Sequence, residues 1–189
     1  MKILVLDNYD SFTYNLVHII KELGFGSQLQ VCRNDKILLE EVDQFDKILL
    51  SPGPGLPEDA GILPQLLKKY SSTKSILGVC LGHQAIGECF GADLENMEDV
   101  LHGVATNTII KNPNDRLFKG IPQIIKTTRY HSWTVIPKSV PDKLEITAVD
   151  ENGKIMALSH KIFDVKGVQF HPESILTEFG KKMIENWLN

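Results

Sequence analysis

No run of consecutive apolar residues in this chain approaches the ~18 needed to cross a bilayer as a helix. Met1-Lys2 leads straight into the strand-like Ile3-Leu4-Val5-Leu6, so neither a membrane span nor a secretory leader is expected. Cysteine is scarce. Cys32, Cys80 and Cys89 are the only three and lie far apart, which excludes a disulfide framework and a zinc cluster. Basic charge is not in excess: 20 Lys and Arg face 24 Asp and Glu, for a net charge of −4 and no basic patch. Nucleic acid is therefore not an expected partner. Linkers, repeats and low-complexity segments are missing too. At 189 residues the expectation is one domain, residues 1–189, with ample material for a single core. A reducing cytoplasmic setting suits free thiols.

What is present has a clear order. Residues 3–6, 28–32, 47–50 and 75–79 read as strands, and helical patterns separate them at 11–23, 36–42 and 62–70, with a further helix at 82–90. In the first helix Leu16, Ile19, Ile20 and Leu23 recur at i, i+3, i+4 and i+7, and Gly24 ends the pattern. Such alternation predicts βαβ units and a parallel sheet with helices on both faces. After Gly91 the character changes. Residues 104–110, 126–130, 144–149, 155–160 and 165–170 are strand-like, and Asn152-Gly153 signals a hairpin. A final helix over about 177–188 carries Phe179, Met183, Ile184, Trp187 and Leu188 on one face. The predicted class is α/β: an open, mostly parallel central sheet with an added antiparallel β portion in the second half.

Gly78-Val79-Cys80-Leu81-Gly82 follows the apolar run Ser75-Ile76-Leu77. Its spacing is that of a nucleophile elbow with sulfur in place of oxygen, at a sharp turn from strand to helix. The helix N-terminus there favours a thiolate, and a thiolate attacks carbonyl carbon. A small buried core cysteine has the same look, and the pentapeptide alone leaves both readings open.

Downstream, Val165-Lys166-Gly167-Val168-Gln169-Phe170 alternates as a strand and delivers His171-Pro172-Glu173 at its end. Pro172 keeps His171 extended. Glu173, two residues on, can accept a hydrogen bond from one imidazole nitrogen and leave the other for a thiol, the logic of nucleophile, base and orienter. A surface His-Pro-Glu turn is the plainer alternative. Ser51-Pro52-Gly53-Pro54-Gly55-Leu56-Pro57, directly after a buried strand, has two glycines and three prolines in seven residues. It predicts a stiff loop whose N–H groups point outward. One of them, with the N–H of Leu81, can form an oxyanion site at the C-terminal end of a parallel sheet.

Together with Asp7-Asn8-Tyr9-Asp10-Ser11-Phe12-Thr13 and Arg129-Tyr130-His131-Ser132, these segments resemble the class I (triad) glutamine amidotransferases. The likeness is greatest to the small subunits of anthranilate synthase and aminodeoxychorismate synthase, and it runs the length of the chain. It implies a flavodoxin-like fold, with Cys80 as nucleophile, His171 as base and later acid, and Glu173 as its orienter. It further implies that L-glutamine contacts Gly53, Pro54, Gly55, Leu81 and Gln84, and Ser132 and Trp133 chiefly through their backbone, with Gly55 and Leu81 as the oxyanion donors. Many members have Leu where this chain has Trp133, a change that alters packing more than specificity if the contact is through the main chain. No cofactor is implied for this chain. A large, Mg-dependent, chorismate-binding synthase subunit is implied as partner, for anthranilate or for aminodeoxychorismate synthesis.

The other candidates carry plainer readings. His83 lies too near Cys80 in sequence to face it across a cleft, and His131 can line the pocket or pack. His102 precedes Gly103 in an irregular stretch and is read as a partner contact. Asp7 and Asp10 suit turn and cap duties better than acid–base work. A stand-alone cysteine hydrolase is disfavoured because Gly53–Gly55, Gln84 and Ser132 complete a glutamine-binding pattern. A non-catalytic binding subunit is disfavoured because Cys80, His171 and Glu173 are all present.

Overall fold

The computed structural model describes the backbone throughout and every side chain except those of residues 98–102. The side chain of His102 is among these five, so the reading offered for it lies outside the described residues.

Nine strands form one sheet. Strands β1 (Ile3–Asp7), β2 (Leu29–Arg33), β3 (Lys47–Leu50) and β4 (Ser75–Val79) come first, followed by β5 (Leu94–Ile110) and β6 (Ile124–Val135). Strands β7 (Leu144–Asp150), β8 (Ile155–His160) and β9 (Val165–Val168) complete the set. Their spatial order is β2-β1-β3-β4-β9-β8-β7-β5-β6. Pairing is parallel from β2 through to β9 and antiparallel from β9 to β6. The antiparallel portion thus continues the parallel sheet rather than forming a separate layer.

Period-two alternation decides which face each strand residue covers. Leu4, Leu6, Ile48, Leu50 and Ile76 pack with helices α2 (Leu63–Tyr70) and α3 (Leu81–Cys89). Ile3, Val5, Leu49, Leu77 and Val79 pack on the other face with α1 (Thr13–Ile20) and α4 (Gly180–Leu188), where Trp187 is fully buried. Two apolar clusters, one per face, hold the sheet between them.

The predicted helix at 36–42 is a short 3-10 segment, Leu39–Gln44. Glu41 turns back to accept from the Leu38 N–H, and so few residues cannot offset the cost of nucleating an α-helix. The first helix ends regularly at Ile20 and continues as a wider turn to Phe25, with Gly24 at φ 90°. Strand β6 runs on past Tyr130 to include Ser132 and Trp133. It stands last in the sheet order, yet it passes over the C-terminal ends of the parallel strands, where the His171 N–H donates to the Thr128 carbonyl at 3.1 Å.

Candidate active site

The C-terminal ends of β1, β3, β4 and β9 converge on Cys80. This residue joins β4 to α3 with φ 51° and ψ −100°, a left-sided backbone that few side chains adopt and that persists only when the surroundings impose it. The flanking glycines are required by contact. A Cβ on Gly78 would lie 2.5 Å from the backbone of Gly82, and one on Gly82 would lie 2.6 Å from the carbonyl oxygen of Leu50. The strand, the turn and the helix touch main chain to main chain, so the sulfur is carried out at the helix N-terminus. The Leu81 N–H falls in the first turn of α3, where amides have no partner within the helix.

The Ser51–Pro57 loop is held against this turn. Ser51 Oγ accepts from the Asn8 N–H at 2.8 Å, Asn8 Nδ2 donates to the Ser51 carbonyl at 2.9 Å, and Asn34 supports Asn8 in turn. Gly53 sits so close to Asn8 and Leu81 that any Cβ would meet their atoms at 2.6–2.7 Å. Gly55 has φ 74°, which orients its peptide as an L side chain rarely allows. Asp7 and Asp10 serve local turns. Asp7 Oδ1 accepts from the Tyr9 and Asp10 N–H groups and from Thr13 Oγ1, and Asp10 accepts from the Phe12 N–H.

His171 is buried beside Cys80. Its Nδ1 lies 2.6 Å from Glu173 Oε1, while Nε2 has no hydrogen bond of good geometry and senses the neighbouring thiol. Phe12 and Tyr130 meet the ring edge-on, at centroid distances of 5.8 and 5.1 Å. Burial opposes a charge on His171. Hydrogen bonding and charge attraction from Cys80 and Glu173 outweigh it and lift the pKa to about 10. An imidazolium is thereby favoured at neutral pH.

A polar cleft of about 280 Å³ opens on Cys80, lined by Gly53, Pro54, Gly55, Gln84, Ser132 and Trp133 together with Tyr130 and His131. That is below the ~300–1,000 Å³ of sites for drug-sized ligands and suits a molecule no larger than an amino acid. A second cleft of about 420 Å³ reaches Cys80 from the side of Tyr9–Phe12, and His171 lines it. Every residue picked from the sequence is therefore in one place: the cleft wall, the sulfur, the imidazole and the carboxylate behind it. Leu81 is the one whose side chain turns away, packed against Gly53. Gln84 is deeply buried, and its amide nitrogen donates to the Trp133 carbonyl at 2.8 Å, so Gln84 also fixes the cleft floor. Phe12 and Tyr130 belong to motifs that carry the resemblance, yet nothing in their spacing marks them as a clamp on His171.

Two more histidines are neutral, His83 buried beneath the site and His131 in the cleft wall. Burial lowers the pKa of His83 to about 3, against a weak opposing contact with the Gly167 backbone. Burial lowers that of His131 to about 4, partly offset by its hydrogen bond to the Trp133 carbonyl. Because unfolded histidine titrates near ~6.5, the unfolded chain takes up protons that the folded chain refuses as pH drops below that value. The expected cost at pH 5 is about 2 kcal/mol for each residue. His171 opposes this only slightly: it stays charged in the fold while its unfolded form gains its last half proton below ~6.5, worth about 0.4 kcal/mol by pH 5. Urea titration should give a distinctly lower midpoint at pH 5 than at pH 6.5; equal midpoints would contradict the assignment of neutral histidines.

The family model described as glutamine amidotransferase class-I matches residues 4–189. The aminodeoxychorismate/anthranilate synthase component 2 of Bacillus subtilis is 43% identical over 188 residues, which cover 98% of this chain and 95% of that protein. The bifunctional protein TrpGD of Thermotoga maritima is 46% identical over 190 residues, and there the match covers all of this chain but 32% of the longer protein. Among solved structures, a candidate GMP synthase subunit from Thermoplasma acidophilum superposes with a TM-score of 0.88 at 26% identity, covering 100% of this chain and 92% of that one.

Proposed function

Because the chain belongs to the class I glutamine amidotransferases, we propose that it hydrolyses L-glutamine at Cys80 and delivers the ammonia to a chorismate-using synthase, chiefly for anthranilate. The observation that carries this is the meeting at Cys80 of two clefts, one walled by Gly53–Gly55 and Ser132–Trp133 and the other by His171, with Glu173 behind it. In this reading the imidazolium of His171 favours the thiolate of Cys80. The sulfur attacks the side-chain amide carbon of glutamine, and the N–H groups of Gly55 and Leu81 receive the oxyanion. His171 then gives its proton to the departing nitrogen. Ammonia leaves and a glutamyl thioester remains. Neutral His171 next takes a proton from water, the resulting hydroxide attacks the thioester, and glutamate departs as the thiolate and imidazolium are restored. Glu173 holds the ring in the orientation that serves both steps.

The partner is a separate large synthase chain, a reading supported by the component 2 relative from Bacillus subtilis. That relative's name covers both acceptors, so the product distinguishes them. Steady-state glutaminase kinetics of the chain alone, with a chorismate-using synthase and with added chorismate, test the proposal. Ammonia release should rise with the synthase, mainly in turnover number, and anthranilate should form. Aminodeoxychorismate as the sole product would reassign the acceptor. A free chain already at the full rate of the complex would favour a stand-alone hydrolase.

A further inference from the structure

Gln169 has no part in the steps above, yet it is fully buried and its side-chain amide nitrogen lies 3.6 Å from Cys80 Sγ. Which end of that amide faces the sulfur follows from its neighbours by matching donors to acceptors. The Trp133 carbonyl can only accept. It lies 2.8 Å from the side-chain nitrogen of Gln84 and 2.8 Å from His131 Nδ1, which is neutral and therefore protonated at that nitrogen. Gln84 thus turns its NH₂ toward Trp133, and the same NH₂ lies 3.3 Å from Gln169 Oε1. The oxygen of Gln169 is spoken for, and its N–H is left pointing at Cys80. The main chain of Gln169 is anchored as well, its N–H donating to the Met156 carbonyl.

We propose that Gln169 is a positioning residue for the Cys80 sulfur, donating an N–H to the thiolate and held in register by Gln84 on the floor of the glutamine cleft. This rests on the reading of Cys80 as nucleophile. It joins the sulfur to the substrate wall through one relay: Cys80, Gln169, Gln84, Trp133. A hydrogen bond to a charged acceptor is among the stronger kinds, and its loss leaves that charge less well supported.

The test is Gln169→Met, which keeps length and shape and removes the donor. Iodoacetamide alkylation of Cys80, followed by peptide mass mapping so that Cys32 and Cys89 are scored apart, is measured against pH without glutamine. The profile should move upward by about one pH unit, and kcat for glutamine in the synthase complex should fall about 10- to 100-fold with KM within about twofold. Gln84→Met should move the alkylation profile in the same direction, and the double variant should shift no further than Gln169→Met, as expected of one coupled unit. If Gln169→Met does not fold, Gln169→Glu sets a carboxylate against the sulfur and should move the profile further still. Either variant, folded by circular dichroism and showing the parent profile, overturns the inference, as does a rise in KM at unchanged kcat. A parent chain that releases no ammonia from glutamine with its synthase would overturn the proposed function instead, a result the alkylation comparison does not mimic.

Discussion

Cys80→Ser should abolish glutamine-dependent synthesis while ammonia supplied directly to the synthase complex still supports it. The change replaces one atom at a site that is 6% exposed, so the elbow and the helix start keep their shape. A serine hydroxyl does not surrender its proton to an imidazole as a thiol does, so the proposed nucleophile is lost. Removing a nucleophile that acts as one unit with its base costs on the order of 10⁴-fold or more in turnover. Measuring glutaminase and ammonia-dependent activity side by side separates loss of chemistry from loss of assembly. Substantial glutaminase activity in Cys80→Ser would move the nucleophile elsewhere.

The second large effect separates base from orienter. His171→Ala should remove nearly all turnover, comparable to loss of the sulfur. Glu173→Ala should retain about 100-fold more activity than His171→Ala, because Phe12 and Tyr130 still bracket the ring. Glu173 is one of the two groups that raise the His171 pKa. Its removal should therefore pull the alkaline limb of the pH–rate profile to lower pH. Small and equal effects of the two substitutions would reduce the His-Pro-Glu turn to a structural feature.

The parts of this molecule legible in the sequence are those dictated locally. Residues 47–50 and 75–79 are strands to the residue, the first closed by a Pro- and Gly-rich loop and the second by the sharp turn at Cys80. Gly78 is legible for the same reason, since the approach it permits is to Gly82 in the same turn, whereas Gly82 packs on Leu50 of a distant strand. The helix expected at 36–42 failed because Ile37, Leu38, Leu39 and Val42 match a helical face over too short a span. What the sequence could not reveal depends on parts far apart in the chain. The passage of β6 over the ends of β4 and β9 places Tyr130 against His171 and Trp133 against Gln84. The direction of the Gln169 amide follows only from that crossing. The buried, neutral state of His83 reflects the absence of a Cβ at Gly167, where one would lie 2.8 Å from His83 Nδ1. No local pattern announces that.

Strand β9 is the last to be made and the fifth across the sheet, seated between β4 and β8. During synthesis β1 to β4 can pair as soon as they emerge, but β4 then keeps an open edge, with Ile76–Val79 waiting for Val165–Val168. An unpaired, apolar strand edge invites pairing with other chains, and distant parallel pairing is slow to close. The ribosome therefore releases the sulfur long before its imidazole, and a chain halted short of β9 carries the thiol but neither its base nor the strand that shields it. Insertion of β9 closes the β4 edge and brings His171 to Cys80 in the same step.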